Sequence, residues 1–124
     1  MIPVRANPET WSKRLFIASK IGTDIDDEGN QISIYDEPVE YMFNYRGVKS
    51  SADLVEFGEL ASITQRMVID RKYEGMFKEF DVAYLYDATP EGETINGDNA
   101  NYVLLPPRIG NSVIIIYMQK IIRE

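Results

Sequence analysis

Asp24-x-Asp26-x-Glu28-Gly29-Asn30 sets three carboxylates at alternate positions ahead of a glycine, the spacing with which a calcium loop begins. The match stops there. Counted from Asp24, the ninth position is Ile32 and the twelfth is Tyr35, where such a loop needs a bidentate glutamate. The flanking residues alternate in strand fashion instead of forming paired helices. The segment is therefore expected to be an acidic hairpin turn, and no metal site is assigned.

A second set of carboxylates surrounds an aromatic run. Asp81 and Asp87 border Val82-Ala83-Tyr84-Leu85-Tyr86, and Glu91 and Glu93 follow in a polar stretch. Paired carboxylates do general acid and base chemistry only when they converge and when their surroundings drive their pKa values apart. Spacing alone shows neither, so strand-end and loop charges are the expectation. The chain has no histidine and no cysteine, which removes histidine bases, serine-histidine triads, and histidine or thiolate metal sites. Gly92 to Gly97 lacks the Gly-Lys-Ser/Thr ending of a phosphate loop, and Gly47-x-Lys49-Ser50 is a loose match at best. No catalytic residue and no cofactor is predicted.

Thirteen basic and twenty acidic residues give a net charge of -7, unevenly spread. Residues 1–62 carry -5 and residues 63–124 carry -2. Such a balance argues against a nucleic-acid coat, which needs a dense basic surface. It suits a basic partner surface, or simple solubility. Phe43 and Tyr45 beside Arg46 and Lys49 form the nearest thing to a stacking and phosphate-binding stripe, with Tyr84 and Tyr86 as another. Alternating aromatics more often serve sheet packing. Residues 1–5 lack the apolar core of a secretory signal, and no apolar run reaches membrane-spanning length, so synthesis in the cytoplasm and no membrane association are expected.

These side chains must be positioned by strands. At 124 residues one domain is expected, an arm or loop over 1–12 followed by a single domain over 13–124. Strand signals run over Gln31 to Tyr35, Glu37 to Tyr45, Asp81 to Tyr86, Tyr102 to Leu105 and Val113 to Ile122. In the second of these, Val39, Tyr41, Phe43 and Tyr45 share one face. Lys13 to Lys20 suits a strand or a short helix. Residues 60–71 are expected as a long amphipathic strand with Ile63, Met67 and Ile69 inward, a helix being the runner-up. A helical turn capped by Ser50 or Ser51 must stop near Gly58. Residues 46–51 and 88–99 are expected as loops. About seven short strands with at most short helices predict a mainly β fold, a small barrel or barrel-like sandwich with long loops.

From about Phe43 to Ile122 the order of signals resembles the head-closure, or head–tail joining, proteins of tailed bacteriophages and prophages. The resemblance rests on Tyr45-Arg46-Gly47, Ser50-Ser51-Ala52-Asp53, Glu56-Phe57-Gly58, Phe80-Asp81-Val82-Ala83-Tyr84-Leu85, Asn101-Tyr102-Val103-Leu104 and Asn111 to Tyr117. It covers about two thirds of the chain.

The resemblance implies a non-enzymatic barrel-like adaptor in the virion neck. Copies would form a ring between a portal-side connector protein and a tail terminator or tail-tube protein. Phage DNA would pass through the channel without specific binding. Candidate interface residues lie in the arm and two loops: Trp11, then Arg46, Lys49, Asp53 and Glu56, then Glu91, Glu93, Asn96, Asp98 and Asn99. A tail terminator or another neck component is one alternative. A small nucleic-acid-binding barrel is another, and a carboxylate-dependent enzyme ranks third.

Overall fold

The computed structural model describes residues 12–122, so Trp11 and most of the expected arm lie outside the described residues. The strands are β1 (Lys13–Ala18), β2 (Lys20–Ile25), β3 (Gln31–Tyr35), β4 (Val39–Gly47), β5 (Thr64–Asp70), β6 (Val82–Tyr84), β7 (Tyr102–Leu104), β8 (Arg108–Ile109) and β9 (Val113–Lys120). One short helix, α1 (Ser51–Phe57), leads into a 3₁₀ turn over Gly58–Ile63. The fold is mainly β. Its strands run in the order β5-β4-β1-β6-β7-β9, and β9 returns to β5, closing a six-stranded antiparallel barrel. No helix among the described residues is long and apolar enough to cross a membrane.

The two-residue period of each strand decides what fills the barrel. Leu15 and Ile17, Phe43 and Tyr45, Met67 and Ile69, Ala83 and Leu85, Tyr102 and Leu104, and Ile114, Ile116 and Met118 all point inward. These side chains make the interior an apolar core, with a cavity of about 170 Å³ among Ile69, Phe77, Ile114 and Ile116. Tyr41, Phe43, Tyr73 and Phe77 form an aromatic cluster with ring centroids 5.1–6.4 Å apart. At the margin of the core the half-exposed Tyr86 donates its hydroxyl to Gln65 Oε1 at 2.6 Å and its amide to the Tyr45 hydroxyl at 3.0 Å.

β6 is buried on both sides, which a single barrel core does not explain. Val82 and Tyr84 point outward into a second apolar cluster with Ala18 and Ala100, flanked by Phe16, Tyr35, Ala88, Val103 and Ile121. Residues 88–100 and the β2–β3 hairpin provide that cover. The hairpin forms a two-stranded sheet of its own, with an acidic turn where the sequence places one. There Asp26 Oδ1 accepts the Glu28 amide at 2.9 Å and the Asn30 amide at 2.8 Å, which holds the Asp26 carboxyl below its ordinary value.

Several strand ends differ from expectation by a few residues, and two of the differences have a clear local cause. β5 begins at Thr64, because the buried Thr64 hydroxyl donates to the Leu60 carbonyl at 2.6 Å and ends a 3₁₀ turn that contains Ile63. Ile63 is consequently half-buried beside the strand and not on its inner face. Arg46 and Gly47, expected in a loop, continue β4 because they pair with Arg66 and Gln65 of β5.

Candidate functional site

Strand parity builds a charged row on the barrel exterior. Because Tyr45, Met67 and Ile116 point in, Arg46, Arg66 and Tyr117 point out. The ladder places them side by side, Arg46 opposite Arg66 and Arg66 opposite Tyr117. Two guanidinium groups facing each other on neighbouring strands repel. α1 brings carboxylates to them. Ser50 accepts the Asp53 amide at 3.1 Å and fixes the first turn, which directs Asp53 and Glu56, three residues apart, to one helix face.

Asp53 is buried and accepts the Tyr117 hydroxyl at 2.6 Å. Burial pushes the Tyr117 hydroxyl pKa up, and the Asp53 hydrogen bond adds to the effect. Glu56 pairs with Arg108, Nη1 to Oε1 at 3.0 Å, and this hydrogen bond holds the Glu56 carboxyl below its ordinary value. The Arg108 guanidinium lies 4.7 Å from the Tyr117 ring centroid, and the Phe57 ring covers the same tyrosine at 4.9 Å. Arg46, Lys49, Asp53, Arg66 and Tyr117 line a recess of about 210 Å³. Three of its lining residues, Arg46, Lys49 and Asp53, are candidates from the sequence, as is Glu56, which pairs with Arg108. Arg66, Arg108 and Tyr117 are not, since only the strand register brings them here.

The second group of candidates organises residues 88–100. Glu93 turns inward, where its carboxylate accepts the buried Tyr84 hydroxyl at 2.8 and 2.9 Å and the Asn99 amide at 2.9 Å. The Gly97 amide donates to the Tyr84 hydroxyl at 2.9 Å. Burial, reinforced by the Glu93 hydrogen bond and charge, pushes the Tyr84 pKa far above its ordinary value. Gly97 has φ +91°, and a β-carbon there would lie 2.7 Å from Tyr35 Cδ2. This is a close approach of backbone to ring that only glycine allows.

Glu93 is thus a loop anchor, and Asn99 contributes its backbone to the same anchor. Glu91 and Asn96 share an open cleft of about 420 Å³ with Arg14, Phe16, Glu37 and Pro90. Asp98 lies in a neighbouring groove of about 360 Å³ with Ile32, Tyr35, Ile95 and Ile121. The sequence candidates therefore divide between two surfaces and do not converge on one point.

Two of the carboxylates considered for acid and base chemistry, Asp81 and Glu93, hold backbone amides instead. Asp81 is fully buried and accepts the Lys20 and Lys78 amides, each at 2.9 Å. Glu93 is bound to a different set of donors. The proposed base-stacking stripe also separates, since Phe43 and Tyr45 face the core while Arg46 faces outward. Tyr84 lies beneath residues 88–100 and cannot stack on a base.

No family model and no curated protein matches the sequence. The structure is similar to the solution structure of protein SF1141 from Shigella flexneri 2a, with a TM-score of 0.56, 17% identity, and coverage of 93% of this chain and 96% of that one. At this identity the likeness establishes a shared fold, a barrel found almost end to end in both proteins.

Proposed function

We propose that the chain is a non-enzymatic structural adaptor of the phage or prophage head–tail junction, acting as one copy in a neck ring that closes the head and receives the tail. One observation carries the reading together with the sequence resemblance. A closed barrel with an apolar core has its appendages fixed to it by side-chain hydrogen bonds, Tyr117 to the buried Asp53 for α1 and Tyr84 to Glu93 for residues 88–100. Such a body transmits force and presents surfaces. Its interior is taken up by core side chains, so a DNA channel would lie at the centre of a ring of copies.

In the ring, many modest contacts add up to a firm collar. The net charge of -7 would keep DNA from sticking to the channel wall while a basic connector or tail surface is attracted. The recess lined by Arg46, Lys49 and Arg66 supports a second reading, a small nucleic-acid-binding module. The test is to add the purified protein to DNA-filled heads that carry a connector but lack the neck, then image the product. A ring of added density and restored tail attachment are expected. Salt-sensitive binding of single-stranded DNA by a monomer that ignores such heads would overturn the adaptor in favour of the module.

A further inference from the structure

The β2–β3 hairpin is an unpartnered sheet with a strong charge. Residues 21–45 contain seven acidic side chains and no lysine or arginine, and Asp24, Asp26, Asp27 and Glu28 cluster at the hairpin turn. The two strands pair with each other and with no further strand among the described residues. Isoleucines occupy both faces. Ile25 shares one with Thr23, whereas Ile32 and Ile34 stand opposite Asp24 and Gly22 on the other, and Ile21 sits at the register shift between Lys20 and Gly22. Ile21 and Ile25 are 62% and 67% exposed. A two-stranded hairpin is marginal in water by itself, and exposed apolar faces and free edges invite a partner. The turn is nonetheless already set by Asp26, so little order would be lost on docking.

The complementary surface is on the same molecule, where the hairpin cannot reach it. The hairpin lies against the β1-β6-β7 half of the barrel, where the outer residues Phe16 of β1 and Val82 of β6 pack near Tyr35, with Ile121 beside them just past the end of β9. Arg46, Arg66 and Tyr117 stand on β4, β5 and β9, the other three strands of the ring. Around that row Arg46, Lys49, Arg66 and Arg108 outnumber Asp53 and Glu56, giving local positive charge in an acidic chain. Arg46 and Lys49 already have interaction partners, so the attraction comes from the net balance of the face and not from a free cation.

We infer that the acidic β2–β3 hairpin of one copy docks on the Arg46–Lys49–Arg66 face of the next. Unlike patches on opposite halves of one subunit make a head-to-tail contact, which closes into a ring when the rotation permits. Charge sets partner choice and register, and the exposed isoleucines supply apolar burial. The inference rests on the adaptor reading for its biological setting, but its geometry can fail independently.

Sedimentation velocity on the full chain tests it, run over a wide concentration range and from about 0.05 to about 0.5 M salt. Wild-type protein is expected to self-associate at low salt and dissociate at high salt. Asp24→Lys with Asp27→Lys and Glu28→Lys, all exposed and at or beside the turn, reverses the sign of the cluster and should weaken association by about tenfold or more. Arg46→Glu with Lys49→Glu should do the same. Each variant alone then carries like charges on both surfaces. An equimolar mixture restores opposite charges at every contact and should recover association. Ile25→Asn offers a charge-independent check that leaves the core untouched.

Association that ignores the turn substitutions would overturn the hairpin contact while leaving a ring, and the adaptor, intact. A wild-type chain that stays monomeric throughout also overturns the contact, and head binding then judges the adaptor separately. Normal self-association by the turn variant with lost binding to connector-bearing heads would assign the hairpin to that protein instead.

Discussion

The Tyr84 hydroxyl donates to both oxygens of the Glu93 carboxylate, at 2.8 and 2.9 Å, and receives the Gly97 amide at 2.9 Å. One buried oxygen therefore ties a barrel strand to two points of the longest connection in the fold. Tyr84→Phe keeps the ring and removes the oxygen. It should destabilise the protein by about 1–3 kcal/mol, because Glu93 and Gly97 both lose a partner. Glu93→Gln should cost less, and the double variant should fall short of the sum of the two. Urea unfolding of the four proteins measures that coupling. Full additivity would show that the two groups act independently.

Two glycines separate backbone strain from steric clash. Gly29 has φ +86° with open space around it, so Gly29→Ala should cost about 1 kcal/mol from backbone strain alone. Gly97 combines a similar φ with the Tyr35 ring, so Gly97→Val should cost about 3 kcal/mol or more. Limited proteolysis should then cut the Gly97 variant within residues 88–100 while sparing the Gly29 variant there. Equal losses at the two sites would mean that the Tyr35 contact contributes nothing.

The attachment of α1 can be divided in the same way. Ser50→Ala removes the cap and should cost about 1 kcal/mol. Tyr117→Phe leaves the buried Asp53 without its hydroxyl donor and should cost about 1–3 kcal/mol. Arg108→Ala breaks a half-exposed ion pair, for which a loss of about 1 kcal/mol or less is expected. Thermal melts rank the three, and a leading loss at Arg108 would reverse the proposed order.

Six tyrosines, Tyr41, Tyr45, Tyr84, Tyr86, Tyr102 and Tyr117, have pKa values raised chiefly by burial. In the unfolded chain each ionises near pH 10, roughly its ordinary value. Above that pH the native state holds more protons than the unfolded state, so stability falls as pH rises. The contribution is full below the unfolded pKa and is lost as pH climbs through the folded values. Unfolding should therefore become steep above about pH 10, with tyrosinate absorbance appearing together with loss of the fold. Gradual ionisation ahead of unfolding would show that these hydroxyls are open to solvent.

Alternation made most of the barrel legible. The inward faces of β4 and β9 follow directly from Tyr41, Phe43 and Tyr45 and from Ile114, Ile116 and Met118. The acidic turn, the Ser50 cap and the stop at Gly58 were also readable, because each is decided within a few neighbouring residues. What could not be read was register. Arg66 and Tyr117 are 51 positions apart in sequence yet adjacent across the ladder, and no local pattern in either strand announces the other. The inward turn of Glu93 was hidden for a related reason. A glutamate in a polar loop looks solvated until Tyr84 is known to face outward beneath it.

β9 lies between β5 on one edge and β7 and β8 on the other, and it is the last barrel strand in chain order. Its pairing with β5 joins Thr64 to Gln119, a long-range closure that must offset a large loss of chain entropy. On a ribosome the other five barrel strands emerge first, with the facing edges of β5 and β7 still open. Until Val113–Lys120 is out, the nascent chain is an unclosed sheet with exposed edges. Barrel closure therefore waits for nearly the whole described chain, so the folded surface should appear in a single late step.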